Sequence, residues 1–340
     1  MLFGKTKSHL GVDIGTSNIK IVQLKPQDDK FILETYGLVN AAYQISNKDS
    51  PLAINKTAEI IKNLLNKAGT TTDRIVASLP NSVVFTSVME LPKIPENEVQ
   101  AAVEFEAKKY VPLPLSEVAI SWSVLTDSGS LSQDGKNRVL LTAVPHSVID
   151  NYLKVFSQAG LAPEALEIEA LALIRSLVGE GAKNIILIDI GAKNTSLNLV
   201  ESGYLRLSKN LTVGGDTVTS SIAQSLNINF ARAEQFKKDF GLSNTAQQIP
   251  QIMRPILDII KSEAMQLISI FESHSARLDK ILLSGGGAKL PGLLEYFSVL
   301  GKPVVLAKPW SRVVYPPELK PVIEPLGLNL ALAAGLAMRK

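Results

Sequence analysis

The sequence predicts an α/β protein of two lobes built on one plan. Three observations carry that reading. The segment Leu10-Gly-Val-Asp-Ile-Gly-Thr-Ser-Asn-Ile-Lys-Ile-Val-Gln-Leu24 recurs half a chain later as Ile186-Leu-Ile-Asp-Ile-Gly-Ala-Lys-Asn-Thr-Ser-Leu-Asn-Leu-Val200, with Asp, Ile, Gly and Asn at matching places. Short apolar runs that alternate with period two are interleaved with runs of helical spacing, the pattern of a sheet covered by helices. The length of 340 residues is about twice that of a usual domain.

Each copy of the repeat is an apolar run ending in Asp, a glycine two residues on, and a second alternating run, which reads as strand, tight turn, strand. Residues 31–38 continue the first sheet. Residues 51–68 carry Leu52, Ala58, Ile61, Leu65 and Ala68 at helical spacing and stop at Gly69, a glycine C-cap signal. Strands follow at 75–79 and 83–91. A helix starts near Pro95 and runs to Tyr110, where Val111-Pro-Leu-Pro-Leu115 ends it. Two further strands, 117–126 and 138–144, flank a polar loop at 127–137. Residues 91–144, about 55 by this reading, therefore interrupt the first lobe as an inserted subdomain.

The chain then gives a helix at 148–159, a strand at 164–168 and a helix at 170–178, completing a first lobe of 1–90 and 145–183. The second lobe, 184–325, opens on the repeated hairpin, turns at Glu201-Ser-Gly203 and adds a strand at 204–211. Residues from about 216 to 277 read as helical. A strand at 281–284 runs into Gly285-Gly-Gly-Ala-Lys-Leu-Pro-Gly292, followed by a strand at 304–306. A final helix over 328–339, in the segment 326–340, is expected to pack back on the first lobe.

Composition removes several function classes. With 35 basic and 32 acidic residues the net charge is +3, too little for a nucleic-acid surface that depends on bulk positive charge. There is no cysteine, and His9, His146 and His274 share no ligand spacing, so disulfides, a thiolate nucleophile and Cys-based metal sites are out. Mean hydropathy is high at +0.16 with 46% hydrophobic residues. The most apolar window, 326–338, is nevertheless short of the roughly 20 residues a membrane span needs. No membrane insertion and no export signal are expected, and the apolar excess is assigned to buried strands and to surfaces that meet a partner.

The glycine turns point to chemistry. In Asp13-Ile-Gly-Thr-Ser-Asn-Ile-Lys20 the backbone at Gly15 can approach an anion closely. Thr16, Ser17 and Asn18 add side-chain donors, and Lys20 adds a positive charge. A carboxylate beside phosphates is at home only with a cation such as Mg²⁺ held through water. One such hairpin alone reads better as an ordinary turn. A second, Asp189-Ile-Gly-Ala-Lys-Asn-Thr195, facing the first across a cleft can hold a nucleoside triphosphate and its metal. A third glycine turn, 285–287, suits contact with a flat ring or a phosphate. None of the three fits the Walker or dinucleotide glycine patterns.

Together the two Asp-x-Gly hairpins, the Gly-Gly-Gly turn and two apolar helices, at Glu169-Ala-Leu-Ala-Leu173 and Leu328-Asn-Leu-Ala-Leu-Ala-Ala-Gly-Leu336, resemble the actin-like ATPase superfamily over essentially the whole chain. The resemblance implies duplicated ribonuclease H-like lobes that bind ATP and Mg²⁺. By it, Asp13 and Asp189 approach the metal through water, and Gly15, Thr16, Ser17, Asn18 and Lys20 hold one phosphate end. Gly191, Lys193 and Asn194 form the facing hairpin, and Gly214, Gly215 and Asp216 meet the sugar and phosphate side. Glu234 and Lys237, three apart on a helix, hold the ribose, or form a plain solvated pair. Gly285, Gly286, Gly287 and Lys289 belong to the adenosine motif. Glu169 stands where relatives place the residue that orients attacking water, or is only a charged lid on an apolar helix.

The late position of the insertion is similar to that in the cell-division FtsA family and the type IV pilus assembly PilM family. Three stretches favour the latter: Phe3 to Thr16, Glu104 to Val118 and Val213-Gly-Gly-Asp216. FtsA-like chains also carry a linker and an amphipathic membrane helix, which is not expected between the last helix and Lys340. The PilM resemblance implies a cytoplasmic ATP-binding scaffold, peripheral at the inner membrane. It would bind the N-terminal cytoplasmic peptide of a PilN-like bitopic membrane protein and contact a pilus motor ATPase or platform protein, with homo-oligomers open. The peptide groove is expected at strand 83–88 and helix 99–110, although Val99, Val103 and Phe105 read equally as core. Two rivals stay open: an FtsA-like filament-forming ATPase, and a small-molecule kinase, for which no polar sugar-holding cluster precedes Glu169.

Overall fold

The computed structural model describes residues 8–40, 50–92, 96–125, 137–178, 184–243, 248–273 and 277–339. The opening run before Ser8, Pro95, the loop 127–136, His274 and Lys340 lie outside the described residues.

Strands β1 (His9–Ile14), β2 (Asn18–Gln27) and β3 (Lys30–Asn40) form an antiparallel meander. Helix α1 (Pro51–Ala68) begins with Ser50, whose hydroxyl accepts from Ala53 N, and ends at Gly69 with φ +64°, the left-handed stop that glycine permits. Its buried Ile54, Ala58, Ile61 and Leu65 fall on one face. Strand β4 (Arg74–Leu79) then lies parallel to β1.

The insertion comprises β5 (Phe85–Leu91), α2 (Glu96–Tyr110), β6 (Val118–Val124) and β7 (Asn137–Pro145). Helix α3 (His146–Gln158), β8 (Ala162–Ile168) and α4 (Glu169–Leu177) return the chain to the first lobe. The second lobe repeats the meander as β9 (Ile185–Ile190), β10 (Thr195–Glu201) and β11 (Tyr204–Leu211). Helices α5 (Gly215–Leu226), α6 (Phe230–Phe240) and α7 (Gln248–Glu272) follow, then β12 (Lys280–Ser284), α8 (Leu293–Phe297), β13 (Val304–Leu306), β14 (Val313–Val314) and α9 (Lys320–Ala337).

The strand orders are β14-β3-β2-β1-β4-β8 and β11-β10-β9-β12-β13. Without β14 they are the same sheet twice: three meander strands, then two parallel strands beyond the first. Leu10, Val12, Ile21, Ile61, Ile75 and Phe156 fill the first core. Ile186, Ile188, Leu197, Ile222, Met253 and Leu283 fill the second. Between them α4 and α9 cross, with Ala170, Leu173, Ala331 and Leu336 packed against Ile185, Leu187 and Leu282. The crossing is close: a methyl group at Gly11 would collide with the Ala333 carbonyl, and one at Gly335 with that of Ala172.

Three boundaries differ from the sequence expectation. Strand β5 pairs with β7 in a separate sheet, β5-β7-β6, so the insertion starts at Phe85 rather than at residue 91. Hydropathy could not separate a strand of one sheet from its continuation into another. Strand β14 pairs with β3 and Trp310 packs with Phe31 and Leu33, so the chain rejoins the first lobe well before residue 326. Helix α9 begins at Lys320 and runs through Pro325, ahead of the start expected at 328. That extension makes 317–337, among the described residues, long and apolar enough to cross a membrane by length and composition, with half of its most apolar stretch buried here. The insertion also reaches the second lobe, where Arg138 pairs with Glu201 at 3.0 Å.

Candidate functional site

The site grows out of the two hairpins. Gly15 N donates to Asn18 O at 3.0 Å, and Gly191 N donates to Asn194 O at 2.9 Å, so both turns close in the same way. Strand register sets Asp13 opposite Lys20 and Asp189 opposite Ser196. Lys20 Nζ is 2.7 Å from Asp13 Oδ2, a pair in which Asp13 is almost wholly buried. The neighbouring parallel strand supplies a serine to each aspartate: Ser78 Oγ donates to Asp13 Oδ1 at 3.4 Å, and Ser284 stands opposite Asp189.

Both hairpins open into one cleft of about 780 Å³ between the lobes. It is lined by Asp13, Gly15, Thr16, Ser17, Asn18 and Lys20 from the first lobe, with Glu169 at the start of α4. Facing them are Asp189, Gly191, Asn194, Gly214, Gly215, Asp216, Glu234, Lys237 and the turn Gly285, Gly286, Gly287 with Lys289. The floor of that turn is glycine by necessity. Gly285 has φ +81°, and a Cβ on it or on Gly287 would run into Ile190 of the second hairpin.

Four expected residues sit differently from their assigned roles. Lys193 is exposed and not among the residues lining the cleft, because it follows Ala192 at the outer side of the turn. Gly215 N and Asp216 N donate to Gly191 O and Ala192 O at 2.9 and 2.7 Å. These amides brace the second hairpin and are already engaged. Lys289 Nζ donates to Pro325 O and to Asn329 Oδ1, tying the glycine turn to α9 across the lobes.

The polar pair on α6 is built as a unit. Lys237 Nζ lies 2.6 Å from Glu234 Oε2 and donates to Gly215 O at 3.0 Å and Thr219 Oγ1 at 2.8 Å. Burial would raise the Glu234 carboxyl, but Lys237, Thr219 and Lys238 hold it below its usual range. It is not a free solvated pair.

Charge is unevenly compensated. Burial, helped by Asp13 and Asp189, lifts the Glu169 carboxyl to about 8. Burial also lifts Asp189 to about 6 against the pull of Ser284 and Lys20. The Lys20 ammonium is opposed by burial but held above its usual range by Asp13. Among the described residues no three acidic or histidine side chains converge as a direct metal cage. Two carboxylates at the hairpin turns, one without a lysine paired to it, fit a divalent cation held through water.

Several lining residues carried no sequence signal. Asn81, in the loop after β4, lines the cleft and sends its backbone N toward Glu169 Oε2 at 3.5 Å. Phe230 lines the cleft although 47% exposed, and Asn329 reaches it from α9. Only the pairing of β4 with β1 could have singled out Ser78. In the insertion, Val99 and Val103 are core, whereas Phe105 is 65% exposed, so the core reading fails for Phe105.

Residues 11–340 match the family described as type IV pilus assembly protein PilM. The cell division protein FtsA of Enterococcus hirae is 24% identical over 336 residues, 86% of this chain and 76% of its own. Among solved structures, the PilM-PilN type IV pilus biogenesis complex matches with TM-score 0.86 and 27% identity, covering 98% of both chains. MreB5 of Spiroplasma citri bound to AMPPNP matches with TM-score 0.55 and 13% identity over 98% of this chain and 95% of its own. The fold is that of the actin-like ATPases.

Proposed function

The chain belongs to the type IV pilus assembly protein PilM family, and from that premise we propose that it is a nucleotide-dependent scaffold at the cytoplasmic face of an inner membrane. Its lobes close on Mg²⁺-ATP. Its insertion takes the N-terminal cytoplasmic peptide of a PilN-like bitopic membrane protein, which recruits it to the pilus assembly platform. The observation that carries the nucleotide half is the pair of like-built Asp-x-Gly hairpins facing one cleft. The partner half is supported by the likeness, over nearly the full length of both chains, to the PilM-PilN complex.

In this reading Gly15, Thr16, Ser17 and Asn18 grip phosphate from one side and Gly191 and Asn194 from the other, while Lys20 supplies positive charge beside Asp13. Asp13 and Asp189 hold Mg²⁺ through water. Bound Mg²⁺ would neutralise phosphate charge that the two aspartates otherwise repel. Glu234 and Lys237 take the ribose, and the 285–287 turn floors the base. Glu169 orients the attacking water. Its one backbone donor among the described residues, Asn81 N, is at the long limit of a hydrogen bond. Such loose orientation suits slow hydrolysis.

For the peptide, we take the groove to lie between the first lobe and the insertion, along β5 and α2. Phe105 and Tyr110 on α2 and Leu113 just after it are exposed and would give apolar anchors for an extended or helical segment. Calorimetric titration tests both halves. Mg²⁺-ATP should bind saturably and weaken about 100-fold in an Asp13→Asn/Asp189→Asn variant. The partner's cytoplasmic peptide should bind with an affinity that ATP changes about fivefold or more. Absence of any ATP signal in the intact protein would sink the nucleotide reading. The FtsA relationship makes a filament the second reading, and ATP-dependent sedimentation of the purified chain would favour it.

A further inference from the structure

The lysine of the α6 pair has nothing left to give. An ammonium has three protons, and Lys237 Nζ has three acceptors within reach: Glu234 Oε2 at 2.6 Å, Gly215 O at 3.0 Å and Thr219 Oγ1 at 2.8 Å. Thr219, on α5, is wholly buried and stands behind the pair, not among the residues lining the cleft. Its hydroxyl lies 2.9 Å from Gly215 O and 2.5 Å from Glu234 Oε2. The carbonyl already receives Lys237, so the single hydroxyl proton goes to the closer, charged oxygen.

Glu234 is thereby divided. Its Oε2 is filled by Lys237 and Thr219. Among the described residues, its Oε1 is paired with Lys238 alone, at 3.3 Å, on a side chain that is 64% exposed. Both Glu234 and Lys238 line the cleft. With its carboxyl held below the usual range, Glu234 accepts and does not donate, so Oε1 calls for a ligand group that donates. Ionised phosphate only accepts, whereas sugar hydroxyls donate. The position agrees with the sugar: Gly215, whose carbonyl anchors Lys237, donates its N–H to Gly191 O in the second hairpin. One peptide unit separates the Glu234 network from the turn that would hold phosphate, and the group joined to the phosphates of a nucleotide is its sugar.

We propose that Thr219 is a positioning residue for sugar recognition: with Lys237 it occupies one oxygen of Glu234 and aims the other at the sugar hydroxyls of a bound nucleotide. The inference rests on the nucleotide reading of the cleft and narrows it. Glu234 touches the sugar, and Lys237 and Thr219 act through Glu234. A carboxylate set to accept from a hydroxyl penalises an analogue that lacks it.

The test is calorimetric titration of the full chain with Mg²⁺-ATP and Mg²⁺-2′,3′-dideoxy-ATP, in the parent and in Thr219→Val and Thr219→Ser, after thermal unfolding without nucleotide has shown each variant folded. Valine keeps the shape of threonine without its hydroxyl, and serine keeps the hydroxyl. The parent should prefer ATP about tenfold, a preference that Thr219→Val lowers to under about twofold by weakening ATP and that Thr219→Ser retains. Should Thr219→Val fail to fold, Lys237→Met carries the same comparison. Equal weakening of both nucleotides, a preference untouched by the loss of the hydroxyl, a serine variant that behaves as the valine one does, or a parent that binds both nucleotides equally overturns the proposal. A parent that binds neither nucleotide removes the nucleotide reading itself, and this inference with it.

Discussion

The two hairpins are built alike in backbone and unlike in charge. Each has an aspartate near the end of its first strand, a glycine two residues on, a hydrogen bond from that glycine's N–H to the carbonyl of the asparagine three residues later, and a serine on the adjacent parallel strand. They part at the residue across the ladder from the aspartate: Lys20 opposite Asp13, Ser196 opposite Asp189. Asp13 is neutralised within its own hairpin. Asp189 must share Lys20 at longer range, and its carboxyl rises to about 6. A duplicated turn has thus become one half whose aspartate is paired in place and one half whose aspartate has no cation across its own ladder.

Removing the one lysine breaks the comparison most strongly. Lys20→Met removes the ammonium paired with buried Asp13 and should lower unfolding stability by about 3 kcal/mol, whereas Ser196→Ala, which takes only the hydroxyl that accepts from Asn198 Nδ2, should cost about 1 kcal/mol, both by chemical denaturation without nucleotide. The second test is pH. Asp189 and Glu169 titrate higher in the folded protein than their ordinary values of 3.8 and 4.5. The folded state therefore binds more protons over that interval, and stability without nucleotide falls as pH rises from about 4 to about 8. Glu169→Gln should flatten the upper part of that fall and leave the protein about 2 kcal/mol more stable than its parent at pH 8, with the gain gone near pH 4. A parent whose stability rises over that range would refute the assignment.

The smallest effect compares the turns themselves. A Cβ at Gly15 would meet Asn18 O at 2.9 Å and Lys20 Nζ at 3.0 Å, but one at Gly191 meets only Asn194 O, at 2.9 Å. Gly15→Ala should therefore be the more destabilising by about 1 kcal/mol, measured by the shift in denaturation midpoint at unchanged slope. Equal losses would mean that the lysine gives way freely and that the first hairpin is no more rigid than the second.

How much of this was legible in the sequence follows from what is local. Hairpins and their register are set by neighbours in the chain, so Asp13, Gly15, Asn18 and Lys20, and the second set from Asp189, could be read from spacing alone. The duplicated sheet followed from the repeat. What spacing does not encode is which groups a fold has already engaged. The amides of Gly215 and Asp216 are taken by the second hairpin, Lys289 is held by α9, and Lys193 points outward. Asn81 belongs to no motif, and only the meeting of β4 with α4 brings it beside Glu169. Sheet membership was equally non-local: nothing in residues 85–91 tells that β5 pairs with β7 and not with the first lobe.

The seat of α9 has a mechanical consequence. Interlocked side chains hold two surfaces in register as gear teeth do, and sliding one past the other demands new rotamers throughout. At Gly11 and Gly335 the teeth are absent, and backbone rests on backbone against Ala333 and Ala172. The last helix is thus seated on bare backbone at two points, one where β1 carries a glycine and one where α9 itself does, and Arg175 of α4 donates to the Gly335 carbonyl at the second. Any side chain added at either point must lift α9 off its seat.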